Sequence, residues 1–180
     1  MASTLLPFRD YSEHDVLNLF SFSGTLPVTK GHLVQISGSG WQNTSEMENL
    51  GSVGASFGNT VSDRYGVAAH VALCSDALHS PVGMLLYDVK ETDENGEKLI
   101  FNPRKAAEME VALSGQAVPI LTKGVILYSG GAISSATVGA SLYHDANGEL
   151  ATAQLGSAPA VGRALGGPDS NGHVLVRINL

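Results

Sequence analysis

Two stretches of this chain carry the same landmarks in the same order. Ser23-Gly24-Thr25-Leu26-Pro27-Val28-Thr29-Lys30-Gly31 is answered by Ser114-Gly115-Gln116-Ala117-Val118-Pro119-Ile120-Leu121-Thr122-Lys123-Gly124. Val53-Gly54-Ala55-Ser56 is answered by Val138-Gly139-Ala140-Ser141, and Asp63-Arg64-Tyr65-Gly66 by Asp145-Ala146-Asn147-Gly148. Pro81-Val82-Gly83 is answered by Pro159-Ala160-Val161-Gly162, and Asn95-Gly96 by Asn171-Gly172. Chance could supply any one match; five in the same order point to an internal duplication. Each copy is near the size at which a core alone is marginal, so the copies are expected to pack on each other or to oligomerise.

The repeated segments are short and rich in β-branched or small apolar residues: 33–36, 67–73, 84–89 and 98–101. Gly- and Ser-rich punctuation such as Ser37-Gly38-Ser39-Gly40 separates them, which is the pattern of strands and turns. Three Asn-Gly pairs, at 95–96, 147–148 and 171–172, predict hairpins, because that dipeptide supplies the positive φ angles of type I′ turns. Residues 84–100 form the clearest of these hairpins. The alternation of His173-Val174-Leu175-Val176-Arg177-Ile178-Asn179-Leu180 predicts a half-buried terminal strand. Asn102-Pro103-Arg104-Lys105-Ala106-Ala107-Glu108 predicts a two-turn helix, with Asn as cap and Pro at the first helical position. The expected fold is therefore all-β: two related small β modules, barrel or sandwich, with one short helix between them. Residues 1–14 read as an N-terminal arm, 15–101 as the first module, 102–108 as the connecting helix and 109–180 as the second module. Residues 16–22 and 109–113 lean to strand. Residues 41–62 read as a long surface loop, a length that is uncommon unless the loop has a task.

Composition narrows the function. Charged residues are only 15% of 180, against about a quarter in ordinary globular chains, and the formal net charge is −7. The densest cationic run is Arg104-Lys105, so the phosphate neutralisation that nucleic-acid binding requires is not expected. No apolar run has the length of a membrane span, the N-terminus lacks the pattern of a signal peptide, and a single cysteine, Cys74, allows no intrachain disulfide.

Several residue groups invite a chemical reading. Gly54-Ala55-Ser56-Phe57-Gly58 has the spacing of a nucleophile elbow, but no helix pattern follows it and the second copy puts Tyr143 where the last glycine stands. A shared structural turn explains it better. His70, Cys74 and His79 are zinc-ligand types. On a strand, however, His70 and Cys74 lie about 13 Å apart at ~3.3 Å per residue, too far for one metal. Glu91, Asp93, Glu94 and Glu97 crowd around one turn; Asn102 stands where a calcium loop needs a bidentate Glu, leaving a solvated acidic tip or a contact for a basic partner. Gly31 and Gly124 are expected at positive-φ turns, with Lys30 and Lys123 exposed. No catalytic, cofactor or metal residues are assigned. Phe8, Arg9, Tyr11 and Trp41 are the candidates for protein contact, because arm and loop aromatics often anchor a neighbouring subunit.

In Leu26-Pro-Val-Thr-Lys-Gly-His-Leu-Val, in Val161-Gly-Arg-Ala-Leu, and in an Asn-Gly turn leading into the final strand, the chain resembles the head decoration, or cement, proteins of tailed bacteriophages, including those of cyanophages. The stretch from Pro81-Val-Gly-Met-Leu-Leu-Tyr-Asp-Val to Ser114-Gly-Gln-Ala-Val-Pro-Ile adds to the likeness. The resemblance implies a small, β-rich, non-enzymatic protein that binds the outer capsid surface as a homotrimer, with the major capsid protein as partner and assembly in the host cytoplasm. It implies no cofactor and no catalytic residues, and the doubling departs from the smallest members. Rival readings are another virion component (fibre base, neck or tail), a small hydrolase using Ser56, and a carbohydrate-binding module stacking sugar on Trp41.

Overall fold

The computed structural model describes residues 4–7, 15–41 and 69–180. Fourteen short strands make up most of the regular structure. The first sheet runs in the order β2 (Val16–Leu17), β9 (Ile120–Leu121), β6 (Gly83–Leu85), β4 (Leu33–Ser37), β5 (His70–Leu73), β3 (Ser21–Phe22). The second runs β1 (Thr4–Pro7), β10 (Lys123–Ser129), β14 (Val174–Asn179), β13 (Gly162–Ala164), β11 (Ser141–His144), β12 (Leu150–Ala151). Pairing is antiparallel except between β3 and β5 and in a separate two-stranded ladder of β7 (Asp88–Val89) and β8 (Val111–Ala112). Among the described residues the chain is all-β with one short α-helix, as the alternation and turn signals predict.

The core explains the layering. Leu33, Met84 and Leu121 of the first sheet pack with Ile126, Tyr128, Leu142, Val174, Val176 and Ile178 of the second, so the sheets meet face to face. The neighbouring residues Val34, Leu85 and Ile120 point the other way, into a second cluster with Phe20, Phe22, Val28, Val89, Ala112 and Val118. Successive strand residues face opposite sides, and here both members of each pair are fully buried. The first sheet is thus an inner layer, which is why its strands read as continuous apolar runs. The second sheet keeps one face outward: along β14 Val174, Val176 and Ile178 are buried while Arg177 and Asn179 are exposed.

Glycine sets two close approaches at equivalent landmarks. A Cβ on Gly83 would lie 2.7 Å from the Leu121 carbonyl oxygen, and one on Gly162 would lie 2.4 Å from that of Arg177. Each opens a three-residue strand in the middle of its sheet. Strand neighbours nonetheless differ between the halves. β4 and β6 pair directly, whereas β10 and β13 have β14 between them. Residues 120–121 of the expected second module also lie in the first sheet, between β2 and β6. Residues 4–7 of the expected arm form β1 on the edge of the second sheet, with Leu5 buried in the shared core.

Some local expectations change. Residues 16–22 split into β2 and β3, and 84–89 into β6 and β7, because Leu86-Tyr87 carries the chain from one ladder to the next. Leu99–Phe101 is a 3₁₀ turn where a strand is expected. It feeds directly into the helix α1 (Pro103–Glu108), which Asn102 caps by accepting from the Lys105 amide at 3.2 Å. Leu99, Ala106, Val111 and Leu113 form a small third cluster beside it. Gly31 has φ 94°, as expected, but Gly124 sits inside β10 opposite Ile178 and needs no special backbone.

Candidate interaction surface

The three Asn-Gly turns share one construction. In Asp93–Glu97, Asp145–Glu149 and Asp169–His173 the aspartate Oδ1 accepts two backbone N–H groups, from residues two and four positions on, all at 2.8 Å. The glycine amide closes on the aspartate carbonyl at 3.0–3.2 Å, with glycine φ at 80–82°. Only glycine takes positive φ; the asparagines do not. The turn is therefore a type I turn with a glycine bulge, and the type I′ expectation is corrected. The aspartate, four positions before the strand resumes, does the bracing.

The Lys105 ammonium donates to Asp93, joining α1 to the first tip and holding the Asp93 carboxyl below its ordinary value. Asp169 is likewise lowered, chiefly by the His173 amide. The tip at 145–149 behaves differently from the other two. It abuts the first sheet: the Leu33 amide donates to the Gly148 carbonyl at 2.7 Å, and a Cβ on Gly148 would meet the carbonyl oxygens of Leu33 and Cys74 at 3.1 and 3.3 Å.

Among the described residues, the chemistry-bearing groups singled out in the sequence lie apart. Cys74 is buried, His70 is exposed on the strand, and the His79 Nδ1 accepts the amides of Ser75 and Asp76 at 3.0 and 3.2 Å. These positions do not converge on one point, and no group of three metal-ligating side chains exists among the described residues. One pairing was not legible in the sequence. The Ser21 Oγ lies 2.8 Å from the His70 Nδ1, brought together by the parallel β3–β5 register. Spacing resembles a nucleophile and its base, but Ser21 is fully buried and its hydroxyl also reaches the Ala69 carbonyl at 3.4 Å. A substrate has no approach to that hydroxyl, so the pair secures the sheet edge. His144 is fully buried; its Nδ1 contacts the Asp145 carbonyl at 3.1 Å, and its Nε2 finds no hydrogen-bond partner.

Of the expected contact residues, Trp41 is 44% exposed, directly after the positive-φ glycines Gly38 and Gly40. Phe8, Arg9 and Tyr11 lie outside the described residues, as do Ser56 and all of the expected 41–62 loop after Trp41.

Two further features expose apolar or unpaired charged groups. One is a set of apolar side chains on turns: Leu78 is 83% exposed, Val138 76% and Phe101 69%. The Leu78 turn is closed by the Asp76 Oδ1, which accepts the Leu78 amide at 2.9 Å, and by the two amides on His79. Val138 is held by the next residue, whose amide donates to the Ala164 carbonyl at 2.8 Å. The other feature is the outward face of the second sheet. Leu127 lies opposite Leu175, and the Leu165 amide bonds the Leu175 carbonyl at 2.7 Å, giving a row of leucines. Beside it Val125 lies opposite Arg177, and Arg177 opposite Arg163. Neither arginine has an ion-pair partner among the described residues. The strict alternation of the last strand carried this signal, since Leu175, Arg177 and Asn179 fall on its outward side.

The chain matches no protein-family model, no curated protein and no solved structure. No helix among the described residues is long and apolar enough to cross a membrane.

Proposed function

We propose that this chain is a non-enzymatic capsid decoration protein that binds the outer surface of an assembled bacteriophage head as a homotrimer and stabilises it, with the major capsid protein as its partner. One observation carries the reading: Leu78, Val138 and Phe101 project from short turns, two of them pinned by the hydrogen bonds just described. A braced apolar side chain loses little freedom on docking, so more of its burial appears as affinity. The sequence resemblance to cement proteins supports the same conclusion, as does the low charge content.

The mechanism is thermodynamic. A protein that binds the assembled lattice and not its dissociated subunits stabilises the lattice by mass action. Each trimer that spans several capsid subunits gains avidity, because every contact after the first is intramolecular. The test mixes purified protein with undecorated heads and follows their heat disruption. Saturating protein raises the disruption temperature, and Leu78→Asp with Phe101→Asp abolishes the rise while the isolated protein still melts cooperatively. Heads that break at the same temperature with and without the protein refute the reading.

A further inference from the structure

Two groups of charges without ion-pair partners stand out among the described residues. The outward face of the second sheet holds Lys123, Arg163 and Arg177 and no carboxylate on its described strands. Arg163 and Arg177 are directly opposite each other, an arrangement in which like charges repel. Neither has an ion-pair partner among the described residues. Next to them lie the half-buried Val125, Leu127 and Leu175 and the exposed Leu165. Directly opposed like charges without partners, beside an apolar row, depart from the usual rules for a solvated sheet face, and such departures concentrate at functional sites.

The complementary group is the first hairpin tip. Glu91, Glu94 and Glu97 are exposed there, and none is within ion-pair distance of a cation. Lys105, the cation that faces them, is already committed to Asp93. Lys98 is exposed in the same hairpin and leaves the tip with an excess of negative charge. The tip itself is rigid, braced through Asp93 as described.

From these two groups we infer that the outward face of the second sheet is a docking surface for a second copy of this chain, which presents its Glu91/Glu94/Glu97 tip to Arg163 and Arg177. The charges also fix the kind of contact. Two copies meeting face to face would set four arginines against one another, which disfavours that arrangement. The contact runs tip to face, and each copy offers one tip and one face. Such contacts close as a reciprocal two-fold pair or a ring, or run on as an open chain where the rotation does not close. The leucine row supplies apolar burial at the centre and the charge pairs supply orientation and rate of encounter. This rests on the decoration reading only in that the ring is the unit that would meet the shell.

Sedimentation velocity of the full chain tests it with two charge reversals. The first is Arg163→Glu with Arg177→Glu; the second is Glu91→Arg, Glu94→Arg and Glu97→Arg. Wild type self-associates, and raising salt from low to several times physiological strength weakens it. Each variant alone is monomeric, its dissociation constant raised by about a hundredfold or more, in line with two to three lost charge pairs. Mixed together, the two variants associate again, because each now carries the complement of the other; a misfolded variant has no such rescue. A wild type that stays monomeric, a variant that associates as wild type does, or a mixture that stays monomeric overturns the inference. Head binding is read separately. A monomeric wild type that still stabilises heads removes the docking surface and the trimeric form but leaves head stabilisation standing; a self-associating wild type that ignores heads removes head stabilisation and leaves the docking surface standing.

Discussion

Cys74 closes β5 against the shared core, with its amide donating to the Leu33 carbonyl at 3.0 Å. Burial pushes its thiol from 9.0 up to about 12. Above pH 9 an unfolded chain releases that proton while the folded chain keeps it, so the folded state loses stability between about pH 9 and 12. The loss is at most one proton's worth, about 1.4 kcal/mol per pH unit. Denaturant titrations of wild type and Cys74→Ala across this range check it: the variant is less stable at neutral pH but its stability falls less steeply with pH. The thiol's burial was legible from its residue type and apolar neighbours. The Ser21–His70 contact was not, because 49 positions separate the two and only the parallel register unites them. Exposure of Trp41 followed from the double glycine turn before it. The docking arginines were readable one at a time, from alternation, but not as a pair, since their opposition depends on which strand lies beside β14.

At the scale of elements, the Asp-x-Asn-Gly tips show what a local pattern can and cannot specify. All three were visible as turns, and the aspartate that braces each was in plain view. The same bonds carry different weight according to what the tip touches, which no local pattern contains. The tip at 145–149 ties the two sheets together through Gly148, while the tip at 169–173 stands in solvent. Asp145→Ala is expected to lower global stability by about 2 kcal/mol, the value of losing two charge-assisted hydrogen bonds at a packed site. Asp169→Ala is expected to loosen its own hairpin with a smaller global loss. Chemical denaturation with hydrogen exchange at residues 169–173 separates the two; equal global losses would show that inter-sheet contact adds nothing. Lowered carboxyls at Asp93 and Asp169 contribute stability that is present above the ordinary carboxylate value and is lost as pH falls from there through their lower folded-state values. The 3₁₀ turn at 99–101 marks the opposite lesson. Lys98-Leu99-Ile100-Phe101 reads as a short apolar strand, but the chain takes a 3₁₀ turn there and runs straight into the helix that Asn102 and Pro103 start.

For the whole molecule, the sequence predicted class and missed the layering. Short apolar strands, glycine turns and a single capped helix required an all-β chain. That the first sheet would be covered on both faces, and the second on one, depends on how Leu33 and Val34, or Met84 and Leu85, divide between two clusters. Adjacent apolar residues announce double burial without saying what supplies the second cover. The division matters for function, because it leaves one broad sheet face outward and concentrates free cations on it. The body carries exposed apolar side chains on short turns, and its proposed output is cohesion among shell subunits. Cryo-electron microscopy of heads incubated with the protein tests that claim most directly. The account predicts regular added density repeated over the whole outer shell at symmetry-related positions. Density confined to one vertex or the tail, or heads left bare at saturating protein, would contradict it.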